Sequence, residues 1–259
     1  MYDTIFLTLS KDQAQVDFLA ESACALSQVG EHYFGNDAEP KVTGYLDNLR
    51  VFVSANSLTI KGGSLAKYYF GNNYQTLKRS DTKMAIERLS DELHLPMSKA
   101  KVTRLDIGTT FIMKHPVDVY YNHLGTLAYS GRLAEPDGLY YAQNDRRLVF
   151  YDKNREQRNN GEAVPELYRG KNVLRYEHRH LHRLPSRLGV PEVTASMLYD
   201  KDFYKAVVHR WADTYKDIKK INDIELNTDI MKTKGDLKMA GVLRVLYSQA
   251  EKTSMPGRR

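Results

Sequence analysis

The chain has 259 residues, enough to bury a full core as one large domain or as a domain plus an appendage. Its 38 Lys and Arg against 32 Asp and Glu give a net charge of +6, a balance that suits a polyanionic partner without requiring one. The single cysteine, Cys24, excludes an internal disulfide and suits a reducing compartment; no apolar run is long enough to cross a membrane, and Met1-Tyr2-Asp3-Thr4-Ile5 lacks a basic leader. The expectation is an intracellular protein with no membrane partner.

In chain order, Thr4–Leu9 reads as a first strand, and 12–29 as a helix with Val16, Leu19, Ala23 and Leu26 at helical spacing and Cys24 buried in it. Val51-Phe52-Val53 and Ser57–Ile60 alternate as strands about a turn at Ala55-Asn56, and Gly62-Gly63 ends this meander. Ser80 is a candidate N-cap for a helix carrying Met84, Ile86, Leu89 and Leu93, which stops before Pro96. A strand follows over 101–113. Pro116 then opens a helix with Val117, Tyr120, Leu124 and Leu127 on one stripe. Gly131 to Gly138 reads as a loop, and strands at about 139–143, 147–152 and 172–182 follow. From Pro191 the signal is helical, over 202–220 and 236–251, ahead of a disordered tail. The expected fold is α+β: a mainly antiparallel sheet with helices packed on one side. Residues 1–190 would form one domain and 191–259 a helical C-terminal appendage.

Three strands carry the chemistry. Alternation puts Arg104 with Asp106 on one face, Tyr151 with Lys153 on another, and Arg175, Glu177 and Arg179 on a third. Singly, each has a plain reading: a surface ion pair, a sheet tyrosine, a neutralised charge on a basic edge strand. Converged on one sheet face, they supply a phenol nucleophile, two carboxylates and several cations, which suits metal-assisted phosphoryl transfer to tyrosine. Tyr140 and Tyr141 are the runner-up nucleophiles.

His178, His180 and His182 stand at alternate positions, and His180-Leu181-His182 matches the two-histidine metal motif of rolling-circle endonucleases. The preferred reading is a titrating, phosphate-facing edge on the face opposite Glu177. Arg169, Lys171, Arg175, Arg179, Arg183 and Arg187 form a basic series able to track a phosphate backbone. Gly62-Gly63-Ser64-Leu65-Ala66-Lys67 lacks the P-loop order, and no His-Glu-x-x-His, Gly-x-Ser-x-Gly or cysteine pair occurs.

These residues, in this order, resemble the filamentous-phage gene II/X replication initiators, and more distantly the staphylococcal-type plasmid rolling-circle initiators. The resemblance covers roughly 1–191. It rests on Met1-Tyr2-Asp3, Ile60–Lys67 with Gly71-Asn72, Thr103–Asp106, Leu148–Lys153, Leu174–Arg179 and Gly189-Val190-Pro191. It implies a site-specific DNA endonuclease and strand transferase of the bacterial host cytoplasm. Tyr151 would attack the origin strand, leaving a 5′-phosphotyrosine and a free 3′-hydroxyl, and a later transfer would rejoin the displaced strand. Asp106 and Glu177 would hold Mg²⁺ or Mn²⁺. Lys153 and Arg175 would stabilise the transition state or lower the pKa of the Tyr151 phenol, and Arg104, Arg179, Lys67 and Asn72 would contact DNA. Host helicase and polymerase would be its partners. The sequence departs from the pattern at His180 and His182, where the phage initiators keep no histidines. It departs again at Thr110, where plasmid initiators often carry an acid. The rival readings are a non-nicking origin-binding repressor and a hydrolytic metal-dependent nuclease.

Overall fold

Along β1 (Tyr2–Ser10), Ile5, Leu7 and Leu9 are buried, while Thr4, Phe6 and Thr8 between them stay partly exposed. That period of two makes β1 the middle of a sheet with one covered and one open face. The computed structural model of the chain describes residues 1–15, 25–32 and 41–221, with the backbone alone at 31 and 32. The remaining strands are β2 (Ser27–His32), β3 (Lys41–Leu46), β4 (Leu49–Ser54), β5 (Ser57–Ile60), β6 (Lys101–Met113), β7 (Gly131–Glu135), β8 (Gly138–Ala142), β9 (Arg146–Asp152) and β10 (Asn172–His180). They form one ten-stranded antiparallel sheet in the order β2-β3-β4-β5-β1-β6-β10-β9-β8-β7. β6 is its spine, long enough to pair with β1 along one half and with β10 along the other.

Among the described residues seven helices accompany the sheet: α1 (Lys11–Ala14), α2 (Leu65–Phe70), α3 (Arg79–Leu93), α4 (Val117–Asn122), α5 (Lys153–Asn159), α6 (Leu184–Leu188) and α7 (Lys201–Asp217). The two long ones cover the same face. α3 buries Ala85, Ile86, Leu89 and Leu93 in one cluster with Leu7, Val51, Leu58 and Leu105. α7 adds Val207 to that cluster and sets Trp211 against Tyr176 at 4.8 Å between ring centroids; Tyr176 in turn stacks on Phe150 at 4.5 Å. Each such buried aliphatic side chain contributes roughly 1.5–3 kcal/mol, so this face anchors the fold.

The α+β expectation holds, as do the strands at 4–9 and 101–113 and the turn at Ala55-Asn56, where Ser54 pairs with Ser57. Four local expectations do not. Residues 27–29 lie in β2 rather than in a helix from 12, while Val16, Leu19, Ala23 and Cys24 lie outside the described residues. Ser80 sits inside the first turn of α3; the cap is Lys78, whose backbone N–H is accepted by Asp81 Oδ2 at 2.9 Å, and Met84 faces solvent. The Pro116 helix stops at Asn122, although Leu124 and Leu127 are buried beyond it. Gly131 to Gly138 holds the edge strand β7, whose pairing with β8 outweighs a sequence rich in loop formers. The helical pattern at 236–251 lies outside the described residues.

Candidate active site

Cross-strand register builds the site. On β10, Arg175 lies opposite Tyr151 of β9 and Thr110 of β6; Glu177 lies opposite Val149 and Gly108; Arg179 lies opposite Arg147 and Asp106. Directly opposed residues share a face, so Asp106, Thr110, Tyr151, Arg175, Glu177 and Arg179 all project from the side away from α3 and α7. β1 adds one more group through a bulge. Between the pairs Tyr2↔Ile107 and Ile5↔Leu105, β1 has two residues where β6 has one, and the irregularity brings Asp3 to this face as well.

The side chains interlock. Tyr151 Oη donates to Glu177 Oε1 at 2.9 Å. Arg175, with no exposed surface, donates from Nε to Glu177 Oε1 at 3.0 Å, from Nη2 to Asp3 Oδ2 at 2.6 Å, and from Nη1 to Thr110 Oγ1 at 3.0 Å and the Asn73 carbonyl at 3.1 Å. Arg179 Nε donates to Glu177 Oε2 at 2.8 Å. Arg104 holds Asp106 by two parallel bonds, Nε to Oδ1 at 2.9 Å and Nη2 to Oδ2 at 2.6 Å. Ser64, the N-cap of α2, donates to the other Asp3 oxygen. Three buried carboxylates are thus balanced by three guanidiniums, the condition under which such charges persist in an interior.

Burial and pairing set the protonation states. Burial pushes Glu177 up, but Arg175 and then Arg179 outweigh it and hold the carboxyl down at about 2. Asp106 is pushed up to about 6 by burial, which its Arg104 bonds only partly offset. Asp3 is raised by burial against the pull of Arg175. Burial, then the Glu177 charge, drives the Tyr151 phenol well above its ordinary value. Free tyrosinate is therefore absent at neutral pH, and any attack by this oxygen needs the proton to leave as the new bond forms.

Lys153 begins α5 rather than continuing β9, because Asp152 caps the helix by accepting from Arg155 N at 3.1 Å. It is buried beside the site, 6.0 Å from the Tyr151 ring centroid and 2.7 Å from Glu156 Oε2. Lys67 pairs with Glu162 in the lining of a cleft of about 410 Å³ that Phe6 and Arg104 also line. Asn72 caps its own turn, accepting from Tyr74 N at 3.2 Å; the neighbouring Asn73 lines the cleft instead. Of the runner-up nucleophiles, Tyr140 shares the site face but bonds Asp137 at 2.8 Å. Tyr141 lies on the covered face, bonded to the Gly125 carbonyl at 2.7 Å.

The histidine expectation needs correcting. β10 is a central strand, and His178 and His180 lie on its covered face, fully buried and stacked at 4.1 Å, not along a phosphate-facing edge. The strand ends at His180, so His182 does not continue their row. Of the basic series, Arg175 is buried, Arg169 pairs with Glu166 and Arg187 with Asp145.

Nor do the expected metal ligands form a ligand set. Both oxygens of Asp106 are held by Arg104, and both of Glu177 by Arg175, Tyr151 and Arg179. Among the described residues no group of three or more His, Cys, Asp or Glu side chains is placed to hold a metal.

Sequence reasoning gave no site role to Asp3, Ser64 and two glycines. A Cβ at Gly108 would lie 2.8 Å from Glu177 Cγ, and one at Gly138 would lie 3.2 Å from Tyr151 Cβ. Both positions face a site residue across the ladder, so glycine there leaves room for the two side chains. A glycine within a strand run was the available signal.

The model of a phage family described as the N-terminal part of the gene II replication-associated protein matches residues 1–210. The chain belongs to this family. It is therefore a replication initiator of the filamentous-phage gene II type, a DNA-binding protein of rolling-circle replication. The segment of the initiator that matches contains every residue of the site and reaches into α7. No curated protein matches the chain. Among the described residues, no helix of this gene II-type initiator is long and apolar enough to cross a membrane.

Proposed function

We propose that this initiator nicks and rejoins one DNA strand through Tyr151. The observation that carries the reading is the hydrogen bond from Tyr151 Oη to Glu177 Oε1, inside a shell of guanidiniums on the sheet face away from α3 and α7. The phenol proton passes to Glu177 as Oη forms a bond to the scissile phosphorus. The P–O3′ bond breaks, and the 3′-oxygen takes up a proton from solvent. The products are a 5′-phosphotyrosine and a free 3′-hydroxyl, which host polymerase extends behind a host helicase. Attack of a later 3′-hydroxyl on the phosphotyrosine rejoins the strand and restores the phenol.

Arg175 supplies fixed electrostatics, since a donor already held beside the developing charge needs no reorganisation. Arg179 is the group able to turn toward the phosphate, its side chain being 29% exposed while Arg175 is sealed in. Its departure from Glu177 removes one of the charges that hold this carboxyl at about 2, making Glu177 a better proton acceptor as substrate arrives. Lys153 stands beside the Tyr151 ring and adds positive charge to the same pocket.

One observation favours a second reading. Tyr151 is only 8% exposed, as a non-nicking origin-binding protein would tolerate. Incubation with circular single-stranded DNA and Mn²⁺, followed by denaturing gels and peptide mapping, separates the readings. A phosphotyrosyl adduct at Tyr151, absent in Tyr151→Phe, is the expected result. Nicking that survives Tyr151→Phe without an adduct identifies a hydrolytic nuclease, and binding without nicking identifies the regulator.

A further inference from the structure

The open sheet face does not end at the catalytic cluster. It continues across β6, β1, β5, β4 and β3, roughly 19 Å at about 4.8 Å per strand. On all of β1, β3, β4 and β5 one set of alternate residues is buried and the other is partly or fully exposed. The exposed set, read across the register, is Phe6, Thr8, Thr59, Phe52, Thr43 and Arg50, with Lys41 and Tyr45 at the far side. Two rings on this face carry a guanidinium: Arg104 lies 5.0 Å from the Phe6 centroid and Arg50 lies 4.9 Å from the Phe52 centroid. Each pair sits in its own hollow, Phe6 with Arg104 in the cleft of about 410 Å³, and Phe52 with Arg50 in a second of about 370 Å³.

We propose that this face is a stacking platform for single-stranded DNA, with Phe52, Arg50 and Tyr45 holding the strand on the side of Phe6 away from Tyr151. The proposal rests on the nicking reading for its direction and deepens it by naming where the strand runs. The occupant is a polyanion, because β3, β4 and β5 carry no acidic residue while Arg50 stands on the face, and the acids of the neighbouring cleft, Glu156 and Glu162, are paired with Lys153 and Lys67. Among the described residues Arg50 makes no ion pair, so its charge is available to a phosphate or its plane to a base. The occupant is single-stranded because the rings are recessed and only partly exposed: a paired base keeps its faces inside the duplex stack, whereas an unpaired base can enter a hollow and lie on ring or guanidinium. Threonines between the pairs, with Thr8 and Thr59 hydroxyls 3.4 Å apart, offer donors and acceptors without selecting a base.

The test compares labelled oligothymidylates of about 6 and about 18 nucleotides, and a duplex as long as the second, by fluorescence anisotropy. Phe52→Leu, Arg50→Gln and Phe52→Tyr are measured against the parent chain, none of them being in the catalytic cluster. Phe52→Leu and Arg50→Gln should each weaken binding of the long strand about tenfold, leaving the short strand, the duplex and the melting temperature unchanged. Phe52→Tyr should retain parental affinity. Unchanged long-strand affinity in Phe52→Leu and Arg50→Gln would overturn the platform, and so would an equal loss for duplex. Adduct formation is followed on the same proteins. An adduct at Tyr151 with unchanged long-strand affinity removes the platform and leaves nicking intact. Ring-dependent affinity without any adduct supports the platform and removes nicking.

Discussion

Arg175 Nη2 meets Asp3 Oδ2 at 2.6 Å across 172 residues of chain, and both side chains are buried. The pair ties the first strand to the one that carries Glu177, and so fixes the guanidinium that faces Tyr151. Asp3→Asn leaves the Arg175 charge short of a counter-ion in a dry setting. The expected loss is about 3 kcal/mol of unfolding free energy, read from urea denaturation. A midpoint equal to that of the parent would mean that Glu177 alone suffices to hold Arg175.

Gly108 marks how tightly Glu177 is seated. An alanine Cβ there would come within 2.6 Å of the Tyr176 carbonyl and 2.8 Å of Glu177 Cγ. Overpacking of this kind costs about 1–3 kcal/mol, so Gly108→Ala should still fold. The carboxylate must shift, however, and a displacement of about an ångström at a reacting group lowers rates by about 100-fold. Single-turnover adduct formation should fall by about that factor while circular dichroism keeps the parental spectrum. Parental rates would separate Glu177 from the chemistry.

How much of this was legible in the sequence follows from periodicity. Ile5, Leu7, Leu9 and the long 101–113 run announce strands because a half-buried sheet needs period two, and Arg175, Glu177 and Arg179 share a face by the same rule. Register across strands is a long-range property. Nothing local says that Thr110 faces Arg175, or that a bulge after Tyr2 brings Asp3 to the site. The histidines misled for a related reason: alternation places His178 and His180 on the face opposite Glu177, but only the packing of α7 shows that this face is the core. Gly131–Glu135 misled because an edge strand can form from loop-like residues when a neighbour supplies the pairing.

Metal binding has a specific obstacle. Both oxygens of Asp106 are engaged by Arg104, whose side chain is 25% exposed. A divalent ion at Asp106 and Glu177 has to displace that guanidinium. Arg104→Gln removes it and should raise Mn²⁺ affinity about tenfold in a calorimetric titration, an interaction worth about 1.4 kcal/mol. Equal affinity in the two proteins would place the ion elsewhere, or show that Arg104 is no barrier.

Acid should loosen the covered face through the stacked histidines. Burial, with Arg146 next, holds His180 down at about 4, and burial with the neighbouring His180 holds His178 well below the ordinary imidazole value. Both are neutral in the folded chain at pH 7, with no hydrogen-bond partner for any of their ring nitrogens among the described residues. The unfolded chain takes up these protons below about pH 6.5, so the folded state binds fewer protons and loses stability as pH falls. The contribution is complete above about pH 6.5 and disappears as pH drops through about 4; for His180 it amounts to roughly 3 kcal/mol. Asp106 works with the opposite sign, since its carboxyl is raised to about 6, and its contribution is present at acid pH and lost as pH rises through 6. His180→Phe isolates the histidine part. Its unfolding free energy, measured in urea from pH 4 to 7.5, should fall less steeply toward acid than the parent's by about one proton. Parallel curves would mean that His180 is already protonated in the folded chain, with the Asp145 carboxylate nearby as the counter-charge.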